Sequence, residues 1–186
     1  FDHKGGYYHY RVHYTKLNDL CQGPLSSLKT YLESMFKNCP NEYFFKGPRS
    51  SSLKFKLSNL DIKNITHHEL CTLTNHALEK NHDRYSTAHS KIQVFLLEND
   101  STSIACEIPL WLKPEELDTF KELFNSTETL TGHIDLIRVQ DIKIWVLDYK
   151  PNASKDQFAS TQIYFYALSI IRKIVYKLLQ TPQLSL

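Results

Sequence analysis

The chain has 186 residues, of which 41% are hydrophobic and 12% aromatic, and a formal net charge of +2. That length suits about one domain with a buried core. The composition excludes a disordered chain, and no apolar run reaches the ~18 residues a membrane span needs. A charge so near neutral gives no whole-molecule attraction to a polyanion, so a nucleic-acid partner would have to be met locally. Lys150, Lys155, Arg172, Lys173 and Lys177 gather in the last quarter of the chain. They read equally well as a solvated helix surface or as part of such a local patch.

Tyr7 to Tyr14 is a Tyr/His-rich extended stretch, and Leu25 to Phe36 has helical spacing. Gly47-Pro48-Arg49 and Ser50-Ser51-Ser52 then form a polar break. Residues 66 to 97 read as one or two helices, with Thr66 as N-cap and Glu69 completing a capping box. Beyond Asn99-Asp100-Ser101 the pattern turns to strands. Ser103 to Leu112 is the first, and Lys113-Pro114 opens a short helix. Leu130 to Val139 and Ile142 to Tyr149 follow, joined at Gln140-Asp141, with Ile142, Ile144, Val146 and Asp148 on one side. After Pro151 a long helix runs from Ala159 to Leu179, burying a stripe of Ile163, Ala167, Ile170, Ile174 and Leu178. The order helix, three strands, helix predicts an α/β sandwich.

Cys21, Cys39, Cys71 and Cys106 are widely spaced without a CxxC pair, and read as reduced thiols of an intracellular protein. His67, His68, Cys71 and His76 cluster loosely. Structural zinc calls for two short ligand pairs, so this group reads as a helix surface. Phe1 in place of Met leads to the expectation that the chain is part of something longer.

The informative stretch is Gly132-His133-Ile134-Asp135 followed by Val146-Leu147-Asp148-Tyr149-Lys150-Pro151. Alternate residues of a strand share a face, so Asp148 and Lys150 project together, opposite a second carboxylate from the neighbouring strand. Adjacent buried carboxylates are costly without a cation. Magnesium accepts one or two carboxylates plus waters and phosphate oxygens, and a bound ion with a nearby lysine suits phosphodiester hydrolysis. The competing reading is an ordinary buried ion-pair cluster.

These segments resemble the PD-(D/E)XK nuclease superfamily, in its RecB-like exonuclease branch. That branch carries a helix histidine, a strand glutamate, a GxxD strand, a DxK strand and a QxxxY helix. The matching residues are His89, Glu107 in Ala105-Cys106-Glu107-Ile108-Pro109, Gly132 to Asp135, Asp148-Tyr149-Lys150, and Gln162 to Tyr166. They fall in order across residues 66 to 180. The resemblance implies a restriction-endonuclease-like α/β core, a mixed sheet flanked by helices, over residues 61–186. Residues 1–60 are left as an unassigned N-terminal extension.

It further implies a DNA nuclease, an exonuclease on single strands or free ends, with Glu107, Asp135, Asp148 and Lys150 as the catalytic set. Mg²⁺ or Mn²⁺ would be held by His89, Glu107, Asp135, Asp148 and the carbonyl of Tyr149. Gln162, Tyr166 and Lys173, on one face of the last helix, would grip the DNA strand. No cysteine follows Cys106, so the iron–sulfur cluster of some members is not expected within these residues. The alternative is a nuclease-fold nucleic-acid-binding module of a larger protein, with little cleavage of its own.

Overall fold

The computed structural model describes residues 1–4, 6–65 and 67–180. A two-stranded ribbon, β1 (Asp2–His3) with β2 (Gly6–Tyr7), precedes a four-stranded sheet. The sheet runs β3 (Arg11–Val12), β4 (Ser103–Leu112), β5 (Leu130–Gln140), β6 (Lys143–Leu147). All three ladders are antiparallel. The mixed sheet expected from the resemblance is thus antiparallel among the described residues, apart from one isolated parallel bridge, Arg49 with Thr131.

Helices cover both faces. One face carries α1 (Tyr14–Leu20), α2 (Ser26–Asn38) and α6 (Ala159–Gln180); the other carries α3 (Glu69–Lys80) and α4 (Ala88–Asn99). A short helix α5 (Phe120–Phe124) lies between β4 and β5. Thr87 caps α4, its hydroxyl accepting the Ser90 N–H at 3.1 Å, which satisfies one of the free donors of a helix start. Thr66, expected to cap the preceding helix, lies outside the described residues; α3 starts at Glu69 with the His68 side chain accepting from Leu70 N–H.

The main core joins Leu17, Leu28, Tyr31 and Leu32 to Ile104, Ile108, Ile134 and Ile137 of the sheet and to Ile170 and Ile174 of α6. Each such side chain contributes about 1.5–3 kcal/mol by burial. Residues from the first 60 therefore share one core with the strands, and β3 extends the same sheet through Arg11–Cys106 and Val12–Ala105. In the α6 stripe Ile170 and Ile174 are buried while Ile163 and Ala167 are half-buried; the side chains of Lys177 and Leu178 lie outside the described part.

The β5–β6 hairpin differs by one residue from its expected place. Gln140 pairs with Lys143, and the two-residue loop is Asp141-Ile142, with φ of +52° and +60°. Both positions being left-handed is what a tight hairpin turn compatible with strand twist requires. Ile142 is thereby 71% exposed in the turn rather than the first inward residue of β6.

Candidate active site

On a regular strand, residues two apart face the same side. Here Cys106 and Leu136 pack against α4, whereas Ile108 and Ile134 pack into the core below α2 and α6. Both strands change phase at the same level, where Glu107 and Asp135 stand between the paired positions Cys106–Leu136 and Ile108–Ile134. Glu107 makes the switch in the left-handed region, with φ of +54°. Such a conformation costs a non-glycine residue about 1–3 kcal/mol, and like charges opposite one another on neighbouring strands repel. Strain and repulsion fall on one pair of carboxylates.

The other groups arrive from three elements. Asp148, Tyr149 and Lys150 follow directly on β6. The Tyr149 N–H donates to Asp135 Oδ2 at 2.7 Å, and Lys150 Nζ lies 2.8 Å from Asp148 Oδ2. From α4, His89 Nε2 stands 3.6 Å from Asp135 Oδ2. From α6, Gln162 Nε2 donates to Asp148 Oδ1 at 3.3 Å. The structure therefore brings His89, Glu107, Asp135, Asp148, Tyr149, Lys150 and Gln162 together, from two helices and three strands distant in sequence.

Gln93 belongs to the site although sequence reading passed over it. Its Nε2 donates to Glu107 Oε1 at 2.7 Å and reaches Asp135 Oδ1 at 3.5 Å, so one amide group ties the opposed carboxylates. The signal lay in its position, one helical turn after His89 on the same face and enclosed by the buried run Ile92, Val94, Phe95, Leu96. A buried polar residue in an apolar run needs a partner.

Electrostatics single out the same place. Burial, reinforced by the charges of Asp148 and Glu107, pushes the Asp135 carboxyl up to about 8 against the pull of the Tyr149 N–H and Lys150. Burial also raises Glu107 above the usual carboxylate range, against its hydrogen bond from Gln93. Asp148 Oδ2 is buried without a directed hydrogen bond, although Lys150 is close.

Two expected DNA contacts are placed otherwise. Tyr166 is buried at 3% exposure, its hydroxyl 2.7 Å from Gln162 Nε2, so its ring cannot stack on a base. Instead it fills the space over Gly132, where an added Cβ would come within 2.5 Å of Tyr166 Cε1. Gln162, 5% exposed, supports Asp148 rather than reaching outward. Lys173 sits about 16 Å further along α6 at 1.5 Å per residue. Its Nζ is 2.7 and 2.9 Å from the Glu116 oxygens, above the Trp111 ring. It lines a separate cavity of about 720 Å³ with Tyr31, Tyr43 and Trp111. The loose cluster near α3 is a surface, as read: His67, Cys71 and His76 are exposed.

Among the described residues no group of three or more His, Cys, Asp and Glu side chains is arranged to hold a metal by itself. A hard divalent ion asks for less, since one or two carboxylates with carbonyls and waters suffice. Asp148 Oδ2, buried with only its ion pair to Lys150, and the raised Asp135 carboxyl can both accept a cation, so the donor set fits such an ion as an open site. Gln93, Asp135, Asp148, Tyr149 and Lys150 line a cavity of about 420 Å³, closed on its far side by α3. The chain matches no protein-family model, no curated protein and no solved structure.

Proposed function

We propose that this chain is a metal-dependent deoxyribonuclease of the PD-(D/E)XK type, hydrolysing phosphodiester bonds as an exonuclease on single-stranded DNA or DNA ends. One observation supports the reading above all: Asp135 of the GxxD segment meets Asp148 and Lys150 of the DxK segment at one cavity beside Glu107 and His89. Asp135 and Asp148, with Glu107, His89 and the Tyr149 carbonyl at hand, would hold Mg²⁺ or Mn²⁺, which when bound supplies charge neutralisation and an activated water. Lys150 would orient the attacking water and offset negative charge developing on the phosphate oxygens. The Tyr149 N–H fixes one Asp135 oxygen, Gln162 one oxygen of Asp148, and Gln93 one of Glu107. Rigid donors of this sort hold the carboxylates ready without reorganisation.

The test is incubation with end-labelled single- and double-stranded DNA and with covalently closed circles, with and without Mn²⁺. Linear DNA is degraded and circles survive; Asp148→Ala and Lys150→Ala each lose at least about 100-fold in rate while keeping the wild-type circular dichroism. Undiminished cleavage by both variants refutes the assignment.

A second reading, a DNA-binding module with little cleavage, is favoured by the partners the acidic groups already have, Lys150 on Asp148 and Gln93 on Glu107. Under it the protein binds DNA but shows no carboxylate-dependent uptake of Mn²⁺.

A further inference from the structure

The cavity at the candidate site has two unlike halves. Its floor is charged and polar: Asp135, Asp148, Lys150 and Gln93. Another part is lined by α3, with Leu70 and Leu78 together with Thr74 and Asn75, and Pro151 and apolar side chains of α4 and the sheet complete the lining. An apolar surface interrupted by a hydroxyl and an amide, next to Lys150 and to carboxylates that would hold a divalent cation, matches a ligand with an anionic end and a flat, hydrogen-bonding apolar end. The volume of about 420 Å³ lies toward the lower end of small-ligand pockets, enough for one nucleotide unit and far too little for a base pair.

We infer that the α3 side of this cavity is a base-binding subsite that takes one unpaired nucleobase of a nucleic-acid strand whose phosphate rests at Lys150. The inference rests on the nuclease reading and deepens it by assigning what selects the strand. A base in a duplex is stacked and paired and cannot leave the helix without cost, whereas an unpaired one enters freely. Contact with Leu70, Leu78 and Pro151 is indifferent to base identity, as apolar and stacking contacts are. Thr74 and Asn75 offer donors and acceptors to a base edge. Selection for single strands then follows from the steric closure by α3, without Tyr166, whose ring is committed to Gly132.

The experiment uses the whole chain with Ca²⁺, which accepts the same oxygen donors. Fluorescence anisotropy follows a short fluorescein-labelled oligothymidylate, the same probe paired in a hairpin, and an oligouridylate; calorimetry follows Mn²⁺ alone. Two variants fill the cavity, Thr74→Trp from the half-buried position and Asn75→Trp from the exposed one; Thr74→Val is the control that leaves the space open. Wild type binds the single strand, and the hairpin at least about tenfold more weakly; both Trp variants lose about tenfold or more for the single strand. Thr74→Val, which removes the hydroxyl but keeps the space open, weakens single-strand binding by much less than either Trp variant, and all three retain Mn²⁺ binding. Equal dependence on position 74 for the oligouridylate supports the same pocket and places sugar selection elsewhere. The inference is overturned if folded Trp variants bind the single strand like wild type, or if wild type binds Mn²⁺ but prefers the hairpin. Absence of Mn²⁺ binding in wild type counts instead against the nuclease reading itself.

Discussion

Asp100, beside β5, and Asp135, within it, have largely enclosed side chains, 8% and 14% exposed, and their surroundings are opposite. Asp100 faces Arg138, whose Nε lies 2.9 Å from Oδ2 and whose Nη2 lies 3.3 Å from Oδ1, and it accepts hydroxyls from Thr102 and Ser103. Burial alone would raise its carboxyl, but the hydrogen bonds from Ser103, Arg138 and Thr102 outweigh that and hold it below the usual range. Asp135 has no arginine. It meets two further carboxylates, a histidine at 3.6 Å, the Tyr149 N–H and, at 3.5 Å, the Gln93 amide, and its carboxyl rises to about 8. The fold neutralises a buried acid completely at one end of the strand and leaves the deficit standing near the middle. Such a deficit is what a bound cation would relieve, and perturbed acids of this kind concentrate at functional sites.

The largest expected effect breaks the satisfied member of the pair. Arg138→Met leaves Asp100 buried and unpaired and costs about 3–5 kcal/mol in denaturant unfolding; a loss under about 1 kcal/mol would show that Asp100 is not held by charge. At the unsatisfied member the sign reverses. The folded value of Asp135 lies above the ordinary 3.8, so the native state keeps a proton that the unfolded chain releases. This contribution is fully present below pH ~4 and is lost as pH rises toward 8. Asp135→Asn removes the charge, so it should stabilise the metal-free protein at pH 8 by about 1–3 kcal/mol and flatten that part of the pH profile. A destabilised Asn variant at pH 8 would contradict the deficit. Gly132→Ala, which drives a methyl into Tyr166, should cost about 1–3 kcal/mol, read as a drop in thermal midpoint. The smallest effect belongs to the remote ion pair: the Lys173 and Glu116 side chains are largely enclosed, so Lys173→Met should cost about 1–2 kcal/mol, between an exposed and a fully buried pair, and leave DNA degradation unchanged within about twofold, since Lys173 answers Glu116 and not the site.

The parts of the site legible in the sequence were those with a short local pattern. Asp148 and Lys150 stand two apart on an extended segment, and the period of a strand suffices to place them together. Gly132 three residues before Asp135 is explained by the close approach of Tyr166, a contact across sequence that the motif registers without revealing. Gln93 was hidden because its meaning depends on two carboxylates that reach it only in three dimensions. Lys173 shares a helix face with Gln162 and Tyr166, but facing alone does not tell how far along the axis a cavity extends. The left-handed turn at Glu107 also left no local mark, since the residue there is neither glycine nor asparagine. For the fold, the β4–β5–β6 meander and α6 follow from periodicity. The docking of the first 60 residues does not, because Arg11–Val12 is a two-residue strand paired with residues about ninety positions away.

Calorimetric titration of Mn²⁺ into wild type, Asp135→Asn and Asp148→Asn tests the central claim most directly. Saturable binding by wild type that both substitutions abolish, with folding intact, is the result expected of two carboxylates awaiting a cation. Heat indistinguishable from buffer in wild type, or binding that survives both substitutions, would contradict it.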